Sequence, residues 1–528
     1  MRKKLQLVAS FGLLACSTIG FAQTRYLNEV FTNVTVTSDV IYGNNISVLT
    51  GTPMAADITM DVYQPTGDTE TARPLVLVLH TGSFLPAVAN GQPTGKKTDS
   101  AVVEMCMRFA KKGYVAVAPD YRLGWNPIST VQETRTGTLL QAVYRSIQDA
   151  KNCVRYFKND KATTNAYKID TNRIVVGGLG SGGYIALAYA SLNDPSELTL
   201  LKFINNTTSP PQPYVIPSIH GNFDGTDSTG YMGATMNKPN YANHTSDIQM
   251  VFNVGGAVGD LSWIDTNEVP IVSFHCTMDP NAPYTTGAVI VPSTGDFVVE
   301  ASGSYDVIER VHLDSINNNW IFNNSLFNDV YTTHANTLND GMEGLYPFVT
   351  PAPGANLSCT GANQNAQTQQ GAPWDWWNEA DYAAAPGHPN GVPGSVMACL
   401  AKTGNPDMSA AKGRMYIDTI QGYVAPRMVC ALNLPGCTPN PSGIKEKANA
   451  ANVIAFPNPA TDAVHFSSKG ANIQSVELFD LTGRMVIKAA GLNVAEYTVE
   501  LNGLTAGVYV AKIKSDKGAV ATKRVVVK

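Results

Sequence analysis

The chain of 528 residues is short of charge: 15% of it is Asp, Glu, Lys or Arg, against about 25% in an average domain. With 44% hydrophobic residues beside it, this shortage excludes a disordered chain, which combines high net charge with few apolar residues. Cysteine is scarce as well, eight in all, with no CxxC and no metal-ligand spacing to histidine. That excludes zinc-ribbon and thioredoxin-like chemistry, and neither metal nor cofactor is expected. Past residue 22 no run approaches the ~18 apolar residues of a membrane helix, so no transmembrane segment is expected in the mature chain. Positive charge is outnumbered in the body of the sequence. Residues 1–22 carry +3 and residues 443–528 carry +4 of a net −5, which leaves −12 on residues 23–442. A surface that acidic repels phosphate backbones and excludes nucleic acid as a partner.

The start of the chain has Arg2, Lys3 and Lys4, the apolar run Leu5–Ile19, and the small-residue stretch Gly20-Phe21-Ala22. This is the pattern of a secretory signal cleaved after Ala22. Export permits disulfides, and Cys359–Cys399 and Cys430–Cys437 are the expected pairs, with an odd thiol left over. The length predicts at least two domains. Short apolar runs at Leu75–Leu79, Tyr114–Ala118, Arg173–Val176, Met250–Val254, Pro270–Phe274 and Leu345–Phe348 read as buried parallel strands. Helical spacing recurs over Val102–Ala110, Leu139–Phe157, Tyr184–Leu192 and Gly413–Leu432. Alternation of the two predicts an α/β domain over residues 23–434, its sheet covered on both faces. A Pro/Gly/Lys-rich linker follows over 435–452, then a small all-β, Ig-like sandwich over 453–528, where apolar and polar residues alternate between glycines.

That tail carries Phe456-Pro457-Asn458-Pro459-Ala460-Thr461-Asp462, Leu478–Arg484, Leu504–Tyr509 and a basic end. It resembles the C-terminal sorting domain of the Bacteroidetes type IX (Por) secretion system. The resemblance implies the type IX machinery as a partner and a secreted or surface-attached protein.

The chemistry centres on Gly178-Leu179-Gly180-Ser181-Gly182-Gly183, between a strand and a helix. It satisfies G-x-G-x-x-G, but the acidic residue a dinucleotide site needs at the end of a second strand is missing. The alternative is a nucleophile elbow, a sharp strand–turn–helix that needs small neighbours. Its surroundings, among them Asp61–Pro65, Arg73–Phe84, Gly113–Leu123 and His275–Pro280, resemble the α/β-hydrolase family, especially secreted carboxylesterase-like members. The resemblance implies a serine esterase acting on a small-molecule or polymeric ester through an acyl-enzyme. Ser181 would be the nucleophile, Asp279 the acid (Asp260 the runner-up) and His388, the one histidine after the last hydrolase strand and before the tail, the base. Backbone N–H groups of Thr81, Gly82 and Gly182 would form the oxyanion hole, and Trp374, Trp376 and Trp377 would line the substrate pocket. Thr81 departs from the family's usual glycine, and His80 reads as structural. A second frame stays open: aligned from Arg173, the family's serine falls on Gly180, which has no hydroxyl. The scaffold would then be a catalytically silent surface binding protein.

Overall fold

The computed structural model describes residues 24–528 except 88, 292–293, 318–324, 353, 355, 358, 360–365, 368, 385–391, 438–451, 470, 481–483 and 517–519. The expected signal and His388 lie outside the described residues. Two compact units stand on either side of segment 438–451.

In the first unit eight strands form one sheet: β1 (Val34–Ser47), β2 (Met54–Pro65), β3 (Arg73–Leu79), β4 (Val115–Pro119), β5 (Ile169–Leu179), β6 (Met250–Val254), β7 (Ile271–Cys276) and β8 (Leu345–Phe348). Their spatial order is β1-β2-β4-β3-β5-β6-β7-β8. The stretch from β4 to β8 is parallel, and β2 and β1 add antiparallel at one edge. Because side chains alternate along a strand, Leu75, Leu77 and Leu79 face one core and Val76 and Val78 the other. The first core is closed by α2 (Gln132–Ala162), α3 (Ser181–Ser191) and α4 (Ser304–Leu313). The second is closed by α1 (Ser100–Lys112) and α5 (Ala410–Ala431). Burial on both faces explains why these strands read as unbroken apolar runs. Helix α1 stops at Gly113, whose φ of 106° is the left-handed cap that ends helices.

Every strand read from apolar runs in this unit is present. β1 and α4 were not anticipated. Most side chains along the first half of β1 are exposed, so it lacks a buried run, and α4 buries Val307, Ile308 and Val311 within only ten residues.

A buried ion pair holds the turn after β4. Asp149 of α2 accepts the Arg122 backbone N–H at 2.8 Å and its Nε–H at 2.9 Å, with both side chains almost fully enclosed. The remaining Arg122 donors reach the carbonyls of Ile46 and Arg145.

Cys359–Cys399 and Cys430–Cys437 are disulfides, and Cys106, Cys153 and Cys276 are buried thiols. The second unit holds an antiparallel sheet of β9 (Asn452–Phe456), β10 (Ala463–Lys469) and β13 (Glu496–Glu500). A second antiparallel sheet has the order β12 (Met485–Val494), β11 (Ile473–Phe479), β14 (Gly507–Ser515), β15 (Val520–Val527). Val464 and Phe466 from one sheet and Val476, Ile513 and Val525 from the other share one core, which makes it a sandwich.

Candidate functional site

Strand β5 ends in the elbow, and its apex is Gly180. The residue sits at φ 52°, ψ −117°, a region costly for any residue with a Cβ, and its N–H donates to Val254 O at 2.8 Å. The next turn is fixed by close backbone contacts. A Cβ on Gly182 would lie 2.3 Å from the carbonyl of Leu79, so this position is pressed against the end of β3. Ser181 is therefore the first residue of α3, one place beyond the apex, and the amide that follows the apex is that of Ser181, not of Gly182. Its hydroxyl is 6% exposed as a residue and lies 3.0 Å from Tyr121 Oη. Tyr121 itself donates to the carbonyl of His80 at 2.9 Å, which leaves the Ser181 hydroxyl to donate to the phenol oxygen.

His80 is held on several sides, with Nε2 3.6 Å from Asp120 Oδ1. Its ring stacks on Tyr121 at 4.3 Å, and Nδ1 lies 2.5 Å from the carbonyl of Thr81. Thr81 and Gly82 follow β3 and line the cavity beside the apex. A Cβ at position 180 would come 2.2 Å from Thr81 Oγ1.

Asp279 follows β7 and is enclosed, its side chain 4% exposed. Oδ1 accepts the N–H groups of Asn281 and Ala282 at 2.8 and 3.3 Å, and Oδ2 lies 3.5 Å from His275 Nε2. The carboxylate thus caps its own loop and also borders the cavity. Asp260 pairs instead with Lys202 at 2.8 Å and caps a short turn; it does not border either chamber.

The cavity has two chambers that meet over Gly180, sharing Thr81, Ser83, Gly180, Gly255, Asn281 and Ile290. The larger, about 380 Å³, is the more polar of the two, with polar and apolar lining in nearly equal parts, and includes Asn90, Gln92, Asp279, Gln369 and Asn405. The smaller, about 150 Å³, is apolar, with Phe84, Trp125, Leu139, Tyr184, Phe203 and Trp263; Ser181 borders it. Trp374 and Trp377 line the polar chamber, whereas Trp376 does not: it packs on Gly413 under the guanidinium of Arg414.

Sequence reasoning missed Asp375. Sitting between two tryptophans, it is fully buried on the polar chamber, and burial, with the charge of Asp99 adding to it, pushes its carboxyl from 3.8 up to about 8. An acid between aromatic residues was the available signal. Across that window the folded chain keeps a proton that the unfolded chain releases, so stability falls as pH rises. Asp375→Asn should therefore melt above the wild type by a margin that grows from pH 4 to pH 8 and then levels. A margin constant with pH in thermal melts would refute the desolvated carboxyl.

A mostly parallel sheet in this strand order, with a strained elbow after β5 and an enclosed acid after β7, defines an α/β-hydrolase domain. The BD-FAE family model matches residues 60–291, spanning elbow and acid, and the model of the secretion system C-terminal sorting domain matches residues 454–528. The chain thus carries an α/β-hydrolase domain and a type IX sorting tail, and the tail indicates export to the cell surface or the medium. Among solved structures it is similar to Thermogutta terrifontis esterase 2 phosphorylated by paraoxon (17% identity, 48% of this chain, 74% of that chain, TM-score 0.28). It is also similar to a truncated carbohydrate esterase from gut microbiota (15% identity, 48% of this chain, 81% of that chain, TM-score 0.27). No curated relative matches it. Among the described residues no helix is long and apolar enough to cross a membrane.

Proposed function

We propose that this domain is a catalytically silent α/β-hydrolase that holds an amphipathic, ester-like small molecule at the cell surface without cleaving it. The observation that carries the reading is glycine at the elbow apex: Gly180 brings no hydroxyl to the point where an acyl group would be attacked. Losing a triad nucleophile costs on the order of 10⁶ in rate, while the shape of the pocket and its backbone donors survive. The paired chambers support binding, one apolar and one rich in amides and tryptophan edges.

Mature protein incubated with a fluorophosphonate should remain unlabelled by mass spectrometry. Titration with 4-nitrophenyl butyrate should quench the fluorescence of the cavity tryptophans, with no nitrophenol released above buffer. A second reading is favoured by one observation, Ser181 among the residues that line the apolar chamber. On that reading Ser181 attacks, His388 takes its proton and Asp279 orients the imidazole. Labelling that Ser181→Ala abolishes would establish it and end the receptor reading.

A further inference from the structure

Two positions a hundred residues apart share one volume. A side chain leaving Gly180 would place its Cβ 2.2 Å from Thr81 Oγ1 and 3.1 Å from Thr81 Cβ, the first far inside van der Waals contact. The Thr81 hydroxyl therefore stands where an apex side chain would begin. Its backbone is held, since the Thr81 carbonyl lies 2.5 Å from His80 Nδ1 and accepts from Tyr121 Oη at 3.3 Å. The residue borders both chambers. Among the described residues, no group hydrogen-bonds Thr81 Oγ1, so its hydroxyl is open to a ligand at the junction of the chambers.

We propose that Thr81 is the specificity-determining partner of Gly180: its hydroxyl has taken the place of the nucleophile's and binds an acceptor oxygen of the ligand where the chambers join. This rests on the silent-receptor reading. It follows that restoring a hydroxyl at the apex re-arms the site fully only when Thr81 is cut back.

The test compares full-length mature wild type, Thr81→Gly, Gly180→Ser and the double variant for labelling by a fluorophosphonate. In that reaction the new hydroxyl oxygen bonds to phosphorus, the P–F bond breaks, fluoride leaves, and the hydroxyl proton passes to the site's base, His388 in the sequence reading. Wild type and Thr81→Gly should stay unlabelled. The double variant should label at position 180 at least tenfold faster than Gly180→Ser alone. Equal rates for single and double variants overturn the inference. So does an unlabelled double variant that melts like wild type; if it unfolds, Thr81→Ala replaces Thr81→Gly. Wild type labelled at Ser181 would instead bring down the receptor reading on which the proposal stands. Thr81→Val, which keeps the bulk and removes the hydroxyl, should weaken 4-nitrophenyl butyrate binding roughly three- to tenfold, and unchanged affinity counts against the hydroxyl's role.

Discussion

Asp149→Ala is expected to cost about 3–5 kcal/mol, because it leaves the Arg122 guanidinium enclosed with no carboxylate beside it. Against a total stability of roughly 5–15 kcal/mol, that is about a fifth or more of what keeps a domain folded. The loss reaches the site, since Tyr121, the neighbour of Arg122, supports both Ser181 and the carbonyl of His80. Quenching of the cavity tryptophans by ligand should weaken together with the melting temperature. The paired change Arg122→Met with Asp149→Leu should lose less than Asp149→Ala alone, because neither charge is then stranded in the core. Denaturant titration of the mature chain checks both variants. A loss below about 1 kcal/mol for Asp149→Ala would place the pair among weak surface ion pairs.

Removing residues 449–528 should abolish appearance of the protein at the cell surface and in the medium and strand it in the periplasm. The sorting match covers 454–528, and the sandwich has a core of its own that includes Val464, Phe466 and Val525. Its loss should therefore leave the hydrolase domain folded and able to bind ligand. Fractionation of cells expressing full-length and truncated chains, with ligand quenching on the periplasmic material, separates a sorting defect from a folding defect. Surface delivery of the truncated chain would refute the assignment of export to the tail.

Much of the α/β domain was legible because strands buried on both faces leave continuous apolar runs such as Leu75–Leu79. β1 was not, since an edge strand with one face in solvent carries no such run. The frame of the elbow was ambiguous for a physical reason: glycine stands at 178, 180, 182 and 183, so small-residue spacing alone accepts either apex. In the folded chain it is Gly180 that takes the strained conformation and Ser181 that opens α3, a backbone fact that spacing does not carry. Thr81 could be picked out as unusual in its turn, but that it fills the space above Gly180 is a fact of three dimensions. Trp374 and Trp377 border a cavity, and the buried acid between Trp374 and Trp376 is masked in the sequence by the aromatic run that holds it.

The bridge between Cys359 and Cys399 spans 40 residues, and within that span lie Gln369, Gly371, Trp374, Asp375 and Trp377 of the polar chamber. Closing a loop of that length removes about 4 kcal/mol of chain entropy from the unfolded state in the loop-closure picture. Thiols pair only in an oxidising compartment. The roof of the chamber is consequently cross-linked only after the polypeptide has left the reducing cytoplasm, in the periplasm or beyond it.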